Sequence, residues 1–221
     1  AASFVILLYV INELSYNTSF KNRKQIYRVL HNNADIKINE DGATYIITKH
    51  LQDDFPQVKY VAPTHFVTEF SVKMDEEYIP VDRVVGADSD IFNVFDINVR
   101  GQQANILDEP NSIILSKELA QKLFPGKDPI GQNLVAQIDE KDEVLEVKGV
   151  FDNFPVNSTF QADCFINVKW ILQQINSRIK ERDAETDWRS MYWQTWLLLD
   201  KNNSGGSLDE QFRSLEKEVF S

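Results

Sequence analysis

One cysteine, Cys164, stands among 221 residues, so no disulfide can close within the chain. Its neighbours Phe165 and Ile166 mark it as a small core residue rather than a nucleophile. Glycine is scarce, at 8 residues, and neither Gly-x-x-x-x-Gly-Lys-Ser/Thr nor Gly-x-Gly-x-x-Gly occurs, which argues against the usual phosphate cradles. Lys127-Asp128-Pro129 is a turn, not a nucleotide loop. Of the 3 histidines, His31, His50 and His65, none has a histidine or carboxylate at ligand spacing, so no zinc site is implied. Ser112 and Ser116 fall in no Gly-x-Ser-x-Gly elbow, and no Ser-His-Asp order stands out, so the sequence asks for no hydrolase. Positive charge is in deficit: 23 Lys and Arg face 34 Asp and Glu, a formal charge of -11 spread along the chain. That balance disfavours phosphate backbones and anionic membrane surfaces as partners, and no nucleic acid is expected. No apolar run reaches the roughly 20 residues that span a bilayer.

What is present suits a globular α+β chain. Apolar residues make up 43% and charged residues 26%, and the length allows one domain or two small ones sharing a sheet. Phe4 to Ile11 is an uninterrupted apolar run with two readings: a buried strand or helix, or the outer end of a transmembrane helix. Asn12 to Lys24 is polar and basic, anchored by Tyr16 and Phe20, and suits a helix leaving a membrane surface. Gln25 to His31 alternates as a strand, and Gly42 to Asp54 carries helical spacing up to Phe55-Pro56, where proline ends it. Val58 to Met74 and Tyr78 to Val85 read as an antiparallel hairpin around Asp75-Glu76-Glu77.

The most informative stretch runs from Asn111 to Gly131. Ile113, Ile114 and Leu115 form a short buried strand, and Ser116 offers a cap to a helix whose Leu119, Ala120, Leu123 and Phe124 share one face. Pro125-Gly126 stops that helix, Asp128-Pro129-Ile130-Gly131 turns, and Leu134, Ala136 and Ile138 alternate in a strand. Gln132 to Phe151 is then a hairpin. Before this unit, Asp88 and Asp90 around Ser89 read as the cap of one helical turn rather than calcium ligands, since the further oxygen donors and closing Glu of an EF-hand are absent. After it, Phe154-Pro155 with Asn157-Ser158 forms an irregular loop. From Ala162 a helical stripe runs through Phe165, Val168, Ile171, Leu172, Ile175 and Ile179; Glu181 to Glu185 is a charged link. Met191 to Leu199 is an apolar strand whose Trp193 and Trp196 read as strand fillers rather than a carbohydrate or membrane platform. Asn202 to Ser207 is a flexible break, and Leu208, Phe212, Leu215 and Val219 mark a final amphipathic helix.

Several pieces in one order carry a resemblance: Tyr27-Arg28-Val29, Asp54 to Val58, Gly86 to Phe95, Leu107 to Gly131, and Gly149 to Pro155 followed by Asn157-Ser158. Together they resemble the extracytoplasmic core domain of MacB-like ABC transporter permeases, the group that includes relatives of FtsX, over roughly residues 1 to 165. The resemblance implies an α+β fold with a porter-like α/β subdomain (25–85 and 162–221) interrupted by a smaller α+β subdomain (86–161), residues 1–24 being the end of a first transmembrane helix and its stalk. It also implies a non-catalytic domain, with no cofactor, no metal and no catalytic residues, on the periplasmic side of a bacterial inner membrane. Its partners would be a cytoplasmic ABC ATPase acting through the membrane helices, a second permease copy, and a periplasmic adaptor or exported substrate. The other class that fits is an extracellular sensor or ligand-binding module. A relay of motion would hinge where the chain crosses between the subdomains, near Gly86-Ala87 and near Phe154 to Asn157.

Overall fold

Strands rich in Val, Ile, Leu and Phe that bury both faces, or one face with strict alternation, decide the architecture. In the computed structural model, which describes residues 15–33, 38–101, 105–138, 141–178 and 183–220, they assemble into an eleven-stranded sheet. In chain order the strands are β1 (Ile26–Arg28), β2 (His31–Asn33), β3 (Ile38–Glu40), β4 (Val58–Val67), β5 (Phe70–Met74), β6 (Glu77–Pro80), β7 (Val84–Ala87), β8 (Val99–Gly101), β9 (Ser112–Ser116), β10 (Asn133–Ile138), β11 (Lys141–Phe151), β12 (Cys164–Asn167) and β13 (Gln194–Leu199). The α-helices that fall within the described residues are α1 (Ile47–Asp53), α2 (Asp90–Val94), α3 (Lys117–Leu123), α4 (Val168–Arg178) and α5 (Asp209–Phe220). Across the sheet the order is β1-β13-β4-β7-β12-β9-β11-β10-β5-β6, with β8 beside β11, while β2 and β3 pair separately. Among the described residues only β7 with β12 and β9 with β11 run parallel.

Side-chain alternation assigns the two faces. On β9, Ile113 and Leu115 join a core with Leu119, Ala120 and Leu123 of α3 and Trp170, Ile171 and Leu172 of α4, whereas Ile114 points the other way. The same split on β13 sends Leu197 and Leu199 toward Leu51 of α1 and Leu215 of α5, and Leu198 toward Phe95, Phe151, Phe160 and Phe165. One face therefore carries α1, α3, α4 and α5. The other carries α2, the segment from Phe20 and the loop around Phe160.

The Asn111–Gly131 unit forms as its residues dictate. Ser116 Oγ accepts the Leu119 N–H at 3.2 Å, and α3 closes before Gly126, which takes φ +71, a value glycine reaches without a Cβ penalty. Asp128 Oδ1 then accepts the Ile130 N–H at 3.2 Å to shape the turn.

Four expectations are corrected. The helical stripe from Ala162 begins instead as β12, because a short apolar run buried on both faces has the same composition in a strand as in a helix. Helix starts only at Val168, where Asn167 supplies the cap. The stretch from Val58 to Met74 is two strands rather than one arm of a single hairpin: β4 lies between β13 and β7, and after Thr68-Glu69 the chain swings so that β5 pairs β10 and β6. Of the helix expected from Asn12 to Lys24, residues 12–14 lie outside the described residues and Ser15 is helical, while from Tyr16 onward the chain runs through turns rather than a helix. Gly86 and Ala87, expected as a hinge, are the last residues of β7 and are ladder-paired to both β4 and β12. The glycine serves close packing there, since a Cβ on Gly86 would sit 2.6 Å from Ile171 Cγ1. The Phe4–Ile11 run lies outside the described residues.

Candidate functional site

Two connections, the one that leaves β7 for α2 and the one that enters β12, come together in the middle of the sheet, where β7 and β12 pair. At the first, β7 passes into α2 through Asp88, whose Oδ1 accepts the Asp90 N–H at 3.1 Å. Ser89 does not cap the helix with its side chain; its Oγ instead accepts the Leu107 N–H at 3.1 Å. Burial, then the negative charge of Asp90, pushes the Asp88 carboxyl up to about 7. Asp90 is raised as well, by burial. Tyr45 is pushed up to about 12 by burial, with Asp88 and Glu185 adding to it.

The second crossing is bracketed by two polar clasps. Arg83, just before β7, holds Asp163, just before β12, through Nη2 to Oδ1 at 2.6 Å and Nε to Oδ2 at 3.2 Å, and its Nη1 donates to Gln161 Oε1 at 3.1 Å. At the other end of β12, Asn167 is buried and bonded through both its amide oxygen and its amide nitrogen. Its Oδ1 accepts from the Lys169 N–H at 2.7 Å and the Trp170 N–H at 3.2 Å, and its Nδ2 donates to the Leu107 carbonyl. One side chain thus caps α4 and pins the loop that leads into β9.

The chain that enters the domain is tied to the same crossing. Asn17 takes φ +57, a left-handed conformation asparagine tolerates better than most residues. Its N–H donates to the Asn157 carbonyl at 2.9 Å, and its Oδ1 accepts from the Thr159 N–H at 2.9 Å and hydroxyl at 3.1 Å. Asn157 Nδ2 in turn donates to the Ser15 carbonyl and hydroxyl, both at 2.9 Å. Behind this fastening Phe20 is buried against Phe95 and Phe154, with ring centroids 5.1 and 6.2 Å away, and that aromatic group continues through Phe160 to Trp196 and Phe165. No periodicity announced these contacts; the density of Asn and Ser around residues 157–158 was the only sign that the loop makes side-chain bonds.

The residues weighed for chemistry are scattered. Contrary to the expectation that no histidine has a carboxylate at ligand spacing, His50 Nδ1 lies 3.0 Å from Oδ2 of Asp54, four residues on at the C-terminal cap of α1; His65 Nδ1 lies 3.1 Å from the Tyr192 carbonyl with its pKa lowered by burial, and His31 opens β2. Among the described residues no group of three His, Cys, Asp or Glu is placed to hold a metal. Cys164 sits in β12 with no exposure, and burial pushes its thiol pKa up. Ser116 is a helix cap, and Ser112 is buried at the start of β9. Trp193 is wholly buried between Tyr45 and His65, so it fills the core. An apolar groove of about 430 Å³ runs beside α5, lined by Ile47, Trp188, Leu197, Phe212 and Leu215, with Arg28 and Arg213 among its polar residues. Arg28 is committed to Asp41 at 2.7 Å. No helix among the described residues is long and apolar enough to cross a membrane.

Against known proteins, the family model described as the MacB-like periplasmic core domain matches residues 1–215. Among solved structures the chain is similar to a domain of a protein described as a permease from Porphyromonas gingivalis, with 19% identity and a TM-score of 0.73 over 90% of this chain and 86% of that one. It is also similar to the periplasmic region of MacB from Actinobacillus actinomycetemcomitans, at 10% identity and TM-score 0.59, covering 88% and 84% of the two chains. The extracellular domain of the noncanonic ABC-type transporter YknZ from Gram-positive bacteria matches at 15% identity and TM-score 0.53, covering 84% and 87%. No curated protein sequence matches. The mixed α/β sheet with few helices is thus a fold shared with extracytoplasmic domains of permeases. The chain belongs to the family of MacB-like periplasmic core domains.

Proposed function

We propose that this domain is a non-catalytic coupling element of an ABC transporter permease, seated on the periplasmic side of a bacterial inner membrane. In this reading ATP hydrolysis by a cytoplasmic ATPase moves the membrane helices, and the domain carries that motion to the substrate or adaptor handled outside, in concert with a second permease copy. The observation that carries the reading is the family match over residues 1–215, which takes in the Phe4–Ile11 run as well as nearly all of the described residues. The run is then the outer end of a first transmembrane helix, and residues 1–24 its stalk. A mechanical role is supported by the physical character of the core: strands hydrogen-bonded from β1 to β6 in one sheet resist shear better than parts joined by linkers.

The division into a porter-like part (25–85 and 162–221) and an inserted part (86–161) enters as a proposal within this reading. Its two parts would meet along the β9–β12 pairing, where Leu115, Ile114 and Ile113 face Cys164, Phe165 and Ile166. The hairpin of β5 and β6 lies beyond β10, on the side of the inserted strands, so that side would include residues 70–80 as well.

A spin label on the exposed Lys122, read between the two copies of the parent permease in its membrane, tests the relay. The separation should change between the nucleotide-free and ATP-bound states. An unchanged separation, in a preparation that hydrolyses ATP and transports, refutes it.

A further inference from the structure

Two apolar side chains stand bare on either side of the Asn17–Asn157 fastening. Tyr16 is 41% exposed between Ser15 and Asn17, and Val156 is 97% exposed between Pro155 and Asn157. Single exposed apolar residues are ordinary. These two differ because of what precedes them in the chain and because the loop holding Val156 is locked to that preceding segment. Asn157 grips Ser15 through two bonds of 2.9 Å, and Asn17 grips Asn157 and Thr159 in return. Ser158 Oγ donates to the Phe160 carbonyl at 2.7 Å, fixing the loop from its other side.

Ser15 follows Ile11, the end of the apolar run, by four residues. Four residues reach about 14 Å at full extension and about 6 Å as a helix. The headgroup layer outside the hydrocarbon core is about 5–8 Å thick. A run set in the bilayer therefore brings Tyr16, and the loop bonded to its neighbours, to the membrane surface. Tyrosine is a side chain suited to that depth, with its ring among the headgroups and its hydroxyl in water. The formal charge of -11 excludes broad electrostatic adhesion. What remains is a small apolar contact beside the locally basic stretch Lys21, Arg23 and Lys24.

We propose that Tyr16 and the Pro155-Val156 tip rest on the lipid surface, so that the crossing between β11 and β12 is held against the membrane from which the chain emerges. This rests on the reading of Phe4–Ile11 as the outer end of a membrane helix. The loop then has three fixed points: lipid at Val156, the entering chain at Asn17, and the aromatic core at Phe154 and Phe160.

The test uses the 221-residue chain with an environment-sensitive fluorophore on Val156→Cys, and Val144→Cys on β11 as control; Cys164 is buried and stays unlabelled. The probe vesicles are phosphatidylcholine, with and without brominated acyl chains. The expected result is that the chain binds, the label at 156 shifts to the blue and is quenched by bromine, and the label at 144 does neither. A bound chain whose 156 label stays in water overturns the lipid contact while leaving the membrane-helix reading intact; that outcome also covers a Val156 reserved for a protein partner. A chain that fails to bind vesicles overturns both. Val156→Asp gives a second readout. It should weaken partition about threefold, as expected for losing part of one valine's burial, while Val144→Asp leaves partition unchanged; equal effects at the two positions refute the proposal.

Discussion

Replacing Asn167 tests whether one buried side chain holds the crossing together. In Asn167→Ala, α4 loses the oxygen that accepts the Lys169 and Trp170 N–H groups, a cap whose removal costs about 1 kcal/mol. The Leu107 carbonyl loses its Asn167 donor, which for a buried acceptor adds about 1–3 kcal/mol. The sum is about 2–4 kcal/mol. With a urea slope near ~3 kcal/mol per molar, the upper end for small proteins, the unfolding midpoint falls by about 1 M. Asn167→Asp separates the two contributions, because a carboxylate keeps the cap and places an acceptor against an acceptor at Leu107. The folded state then prefers the protonated acid, so its pKa lies above the unfolded value. The protonated form keeps its stability at low pH, and stability is lost as pH rises from the ordinary carboxylate range through the raised folded value. Urea melts followed by circular dichroism between pH 4 and pH 8 read both effects. A midpoint shift below about 0.3 M for the alanine variant, or an aspartate variant as stable at pH 8 as at pH 4, would falsify the assignment of Asn167 as both cap and pin.

Gly86→Ala should destabilise by about 1–3 kcal/mol through overpacking on Ile171, and Ile171→Ala in the same chain should recover part of that loss; a double-mutant cycle in urea with no coupling contradicts the contact. Asp88, pushed up to about 7 from an ordinary 3.8, makes the wild type lose stability as pH rises from about 4 to about 7, because the unfolded chain gives up that proton first. Asp88→Asn should flatten this slope in thermal melts taken across the window, and an unchanged slope refutes the burial argument. Cys164 should resist alkylation at neutral pH until the domain unfolds, so mass spectrometry showing modification of the native protein within minutes contradicts its burial.

The sequence by itself determined the elements whose signal is local. Ser116, the helical spacing from Leu119 to Phe124 and the turn after Gly126 specify cap, helix and turn within twenty residues, and they form as such because the bonds of cap, helix and turn lie a few positions away. The amphipathic spacing of Leu208, Phe212 and Leu215 fixes α5 in the same way. The ordered pieces from Tyr27 to Ser158 pointed to the family. Only the tertiary structure decided the rest. The run Cys164 to Ile166 is a strand because β7 and β9 leave unpaired backbone on either side of it, a fact of partners far along the chain. Thr68-Glu69 divides one apolar stretch into two strands because β4 and β5 find different neighbours. Gly86 read as a point of freedom, and the close approach of Ile171 made it a point of contact. The fastening of Asn17 to Asn157 joins residues 140 positions apart (157 − 17 = 140) through bonds that have no period, and asparagines at such a separation carry no mark of each other until the fold brings them together.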